Sequence, residues 1–77
     1  MTTDSTPEEL PIRDEMIRLG QALKLGSLVE DGAMARAVVE DGAVQVNDEV
    51  ETRRGRQLHD GDVIAFDGAS LVIRTQD

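Results

Sequence analysis

The sequence predicts an α+β fold: two short packed helices followed by a small antiparallel sheet. Three observations carry this expectation. Between Leu19 and Gly42 the apolar residues recur at helical spacing, and glycines divide them into two segments. After Gly42 the apolar period drops to two. Asn47-Asp48, Asp60-Gly61 and Asp67-Gly68 then supply turn signals between short apolar runs. At 77 residues, with neither a linker nor an internal repeat, the chain is one small domain.

Taken in order, residues 1–11 are expected to form a disordered acidic tail, because they hold few large apolar side chains and are rich in Thr and acids. Residues 12–77 form the folded domain. Pro7 and Pro11 fit an extended approach, and Ile12 with Met16-Ile17 a short edge strand. Leu19 to Leu25 predicts a helix of about two turns, with Leu19 and Leu23 on one face and Gly26 ending it. The second helix runs from Gly32 or Ala33 to Asp41, with Asp31 as N-cap and Gly42 just past its end. Val44 and Val46 alternate with polar neighbours, Asn47-Asp48 makes a two-residue turn, and Val50 and Thr52 return. Val63 to Phe66, Asp67-Gly68 and Ser70 to Arg74 form a second hairpin. The expected core is Leu19, Leu23, Val38, Val44, Val46, Ile64 and Phe66.

Composition excludes several function classes. A chain this short buries about 60–65% of its unfolded surface, which leaves little room for a deep internal active site. Phe66 is the only aromatic, so platforms that stack splayed bases are nearly excluded. Without cysteine there is no disulfide framework, thiol chemistry or cysteine-bound zinc. Apolar runs fall far short of the roughly 20 residues that cross a bilayer, and Met1 to Glu9 is no secretory signal, so a cytoplasmic protein without membrane contact is expected. One histidine and scattered serines give no nucleophile, base and orienting group. Asp60 and Asp62 lack the oxygen-ligand spacing of a calcium loop. No enzyme, metal or cofactor is expected.

Charge is the most informative property. Eight Lys and Arg face sixteen Asp and Glu, a net charge of −8, which opposes indiscriminate binding to nucleic acid. The positive charge is nevertheless clustered: Met16 to Val29 carries Arg18 and Lys24 without an acid, and Arg53 to His59 carries three arginines without an acid. Arg53, Arg54 and Arg56 around Gly55 offer three planar guanidinium forks suited to phosphate. Arg36 on the second helix and Lys24 near the end of the first join them, with Arg18 a weaker candidate. The N-terminus of the second helix adds unpaired N–H groups. A plainer reading stands beside each: the loop arginines can pair with Glu49 and Glu51, and Arg36 with Glu40 four residues on. An acidic adaptor that docks on a basic protein is the alternative function.

The ordered series Leu19-Gly20-Gln21-x-Leu23-Lys24-Leu25, Gly32-x-x-Ala35-Arg36, Gly42-x-Val44-x-Val46-Asn47, Glu51-Thr52-Arg53-Arg54-Gly55-Arg56 and Gly61-Asp62 closely resembles one family. It is similar to stand-alone bacterial members of the RNA-binding fold of ribosomal small-subunit protein four, the αL motif, over about Arg18 to Phe66. The resemblance implies a non-catalytic module of the translation apparatus that binds structured RNA, ribosomal or transfer; the chain is expected to be monomeric and ribosome-associated, with a ribosomal protein on its other face as a second partner. Arg53, Arg54, Arg56, Arg36 and Lys24, with Arg18, would hold the phosphates. Three positions depart from the family's usual residues: Asp48 stands for glycine at the hairpin tip, Ala33 for a glycine and Gln57 for a lysine.

Overall fold

The computed structural model describes residues 7–76; most of the expected tail, residues 1–6, lies outside the described residues. The elements are β1 (Glu8–Ile12), β2 (Ile17–Arg18), α1 (Leu19–Leu25), α2 (Gly32–Glu40), β3 (Val44–Val46), β4 (Glu49–Val50), β5 (Gln57–Leu58), β6 (Val63–Phe66) and β7 (Ala69–Thr75). One five-stranded sheet has the order β1-β7-β6-β3-β4, and β2 pairs with β5 in a separate two-stranded ribbon.

The α+β class stands, but the order and the sheet need correction. A strand precedes the helices, and β1 runs parallel to β7, so the main sheet is mixed. Glu8 to Pro11, assigned from sequence to the tail, belong to this strand. The cause is a short period-two pattern: Leu10 and Ile12 both bury against the core while Glu9 and Pro11 face out. Pro11 is tolerated because β1 is a sheet edge. Ile12 and Ile17 do not share a strand; Ile12 ends β1, and Ile17 pairs with Leu58 in the ribbon. Strand β4 stops at Val50, which is exposed, and Thr52 lies beyond it.

Local chemistry explains the helices. Asp31 accepts the Met34 N–H at 2.8 Å as the N-cap of α2, and Gly42 follows its end at φ +76°. After α1 the chain turns left-handed at Ser27, with φ 60°, and the capping residue Gly26 is glycine for a different reason. Gly26 has an ordinary φ, but a Cβ there would collide with the Leu71 side chain of β7, so the helix end lies directly on the sheet. Asn47 and Asp48 both take positive φ, 52° and 71°, the two-residue hairpin conformation, so Asp48 fills the place of a glycine. Asn47 also accepts the Val63 N–H and donates to Asp62, both at 3.0 Å, which ties this hairpin to the next.

The core lies between the helix pair and the sheet. Leu19, Leu23, Val44, Val46 and Ile64 are fully buried as expected; Val38 and Phe66 pack at its margin. Leu58, Ile73, Val39 and Ala22 are as deeply buried.

Candidate nucleic-acid interface

Helix α1 lacks a side-chain cap: Arg18 precedes it in extended conformation and offers no acceptor. Its first N–H groups are satisfied instead by the arginine loop, Leu19 donating to the Arg56 carbonyl and Gly20 to the Arg54 carbonyl, each at 2.9 Å. Arg18 reinforces the junction by donating from Nη1 to the Gly55 carbonyl at 3.3 Å. The Arg54 and Arg56 carbonyls are thus spent on α1.

A buried carboxylate holds the loop from its other side. Glu51 is 6% exposed. It accepts the Arg53 N–H and Nε at 3.0 Å each and Arg56 Nη1 at 2.8 Å. The guanidinium hydrogen bonds from Arg53, then Arg56, hold its pKa at about 2 against a normal 4.5, although burial opposes this. Arg53 and Arg56 therefore act first as struts, the partnership with Glu51 that the plainer reading anticipated. Glu49, the other suggested partner, makes no ion pair among the described residues.

Ion pairing sorts the remaining cations. Arg36 pairs with Glu40 at 3.1 Å on the α2 surface, and Arg74 with Glu9 at 3.3 Å. Among the described residues, Arg13, Arg18, Lys24 and Arg54 have no carboxylate partner. Three of these four line one open groove of about 300 Å³ between α1, the start of α2 and the loop. Gly20, Gly32, Ala35 and Gly55 keep its walls low, Gln21 completes it, and no acid lines it. Lys24 Nζ reaches to 4.0 Å from where a Cβ on Gly32 would sit, beside the start of α2. Of the six residues singled out in the sequence, the fold brings together Arg18, Lys24 and Arg54. Arg53 and Arg56 line a depression on the loop's other side, with His59. Arg18, the weaker candidate, and Gln21, read as plain helix surface, both line the groove.

Fold and groove define a small α+β domain with an acid-free groove whose three cations have no carboxylate partner among the described residues. The chain belongs to the S4 domain family, whose model matches residues 10–74. That match begins in β1 and ends in β7, so it includes the parallel strand pair. Over 59 residues the chain is 46% identical to "Probable ribosome maturation protein RlbA" of Bacillus subtilis (strain 168), covering 77% of this chain and 83% of that protein. The solution structure of YbcJ from E. coli, described as revealing an αL motif involved in RNA binding, superposes with a TM-score of 0.71 at 26% identity, covering 97% of this chain and 96% of that one.

Proposed function

We propose that this protein binds structured RNA, with ribosomal RNA as the target, by laying a phosphate backbone along the groove between α1, α2 and the arginine loop. The observation that carries the reading is that three cations without carboxylate partners converge on a groove with no acidic lining, in a chain of net charge −8. Arg54 and Arg18 supply guanidinium forks and Lys24 a point charge. Low glycine and alanine walls let a sugar–phosphate chain approach closely. The surrounding negative charge suppresses binding elsewhere on the surface. Arg53, Arg56 and Arg36 stay outside this contact set, since each is already held by a carboxylate. The ribosome maturation relative and the RNA-binding motif of YbcJ support the same reading. In it the protein is a monomeric cytoplasmic module that does no chemistry of its own.

The test is fluorescence anisotropy with labelled ribosomal RNA hairpins across a salt series, for wild type and for Arg18→Glu/Arg54→Glu, with circular dichroism to confirm folding. Three phosphate contacts predict a log–log salt slope of about −2 to −3. The folded double variant should lose binding. Absence of wild-type binding at low salt, to hairpins and to intact ribosomal subunits alike, would refute the reading.

A further inference from the structure

The fourth cation without a carboxylate partner, Arg13, is not in the groove; it lies on a second depression that adjoins the first across Lys24 and Gln21. The four such cations of the described residues therefore all lie along one continuous surface crossing α1. The second depression differs in its floor. Pro11, Met16, Ile17 and Leu25 make it apolar, and Leu25 is 58% exposed, the most exposed large apolar side chain described. Its volume of about 680 Å³ is of the size that holds a small organic group. Asp14 is its only acid, against Arg13 and Lys24.

Resting on the RNA reading above, we infer that this second depression seats an unpaired nucleotide that continues the strand held in the groove. Two cations on the lining, Arg13 and Lys24, suit the phosphates that flank a nucleotide, and the apolar side chains of the same depression suit the face of a base. Gln21, at the junction, can both donate to and accept from a base edge. A basic or neutral protein segment would leave Arg13 and Lys24 uncompensated. With no aromatic in the floor, the seat works by aliphatic contact, so its contribution is smaller than that of an aromatic stack. The preferred ligand is then a stem flanked by a single-stranded extension, not a blunt helix.

The experiment compares one hairpin stem in blunt form, with a two-nucleotide 3′ extension, with a 5′ extension, and with each extension made abasic. Wild type should bind one of the two extended forms roughly 5–10 times tighter than the blunt form, and the abasic version should lose most of that gain. Leu25→Ser and Arg13→Gln should each reduce the gain to less than twofold while binding the blunt stem as wild type does. Blunt binding without any gain from an extension would overturn the inference and leave the RNA reading intact. A gain that persists in the abasic form, or in Leu25→Ser, would also overturn it, because neither the base nor the apolar floor would then be responsible. Failure of wild type to bind every form at low salt would overturn both.

Discussion

Replacing Glu51 with glutamine removes the charge at the hub of the arginine loop while keeping its shape. The carboxylate titrates near pH 2 in the folded chain against 4.5 for the free group. At 1.36 kcal/mol per pH unit, that difference sets a ceiling of about 3 kcal/mol. Arg53 is largely solvent-exposed, so screening lowers the expected cost at pH 7 to about 2 kcal/mol, or roughly 10 °C in Tm for a domain of this size. The pH dependence has a definite sign. A depressed folded pKa stabilises above the unfolded value of 4.5, and the stabilisation is lost as pH falls from there towards 2. Thermal and urea unfolding followed by circular dichroism, at pH 7 and pH 3, measure the gap between wild type and Glu51→Gln. It should shrink by more than half at pH 3, while the other acids titrate alike in both proteins and cancel. A gap equal at both pH values, or below about 0.5 kcal/mol at pH 7, would refute the account of Glu51 as the charged anchor of the loop.

Other substitutions separate paired from unpaired cations and test the turns. Arg54→Ala should make the salt slope of RNA binding shallower by about one unit without changing stability, whereas Arg36→Ala should shift stability by no more than about 0.5 kcal/mol and leave the slope nearly unchanged. Gly26→Ala should cost about 1–2 kcal/mol in urea unfolding, because the new methyl meets the buried Leu71 side chain and the Ala22 carbonyl. Asp48→Gly should raise stability by about 0.5 kcal/mol, since the left-handed conformation at φ 71° is easier for glycine.

Much of this molecule is legible in the chain because its punctuation is local. Asp31, Gly26 and Gly42 bound the helices through caps and close approach, and Asn47-Asp48 and Asp67-Gly68 set the hairpins through positive φ. The parallel β1–β7 pair was hidden because it joins residues about 60 positions apart, and its inner face shows only Leu10 and Ile12 among acids and prolines. The ribbon of β2 and β5 is two residues on each side, too short for any period to appear. At the site, the two acid-free stretches supply the three cations that line the groove, but the sequence does not separate these from the arginines that pair with Glu51. Arg53, Arg54 and Arg56 look equivalent in sequence; only the burial of Glu51, which faces two of them, leaves Arg54 to the groove. Arg13 was obscured by Asp14 and Glu15 beside it, neither of which pairs with it.

Net charge alone would rank this chain among poor RNA ligands, and that ranking rests on the wrong quantity. What a phosphate meets is the set of cations whose counter-charge is absent locally, together with the acids within about a Debye length of roughly 8–10 Å. Here four of eight cations are neutralised by neighbouring carboxylates, and the other four fall on one surface across α1. The acids are therefore not incidental to binding. Glu51 fixes the loop that presents Arg54, Glu40 occupies Arg36, and Glu9 occupies Arg74, which leaves a single favourable track. On this account, neutralising exposed acids away from the track should increase binding to unrelated RNA more than binding to the proper target, and so lower selectivity while raising affinity.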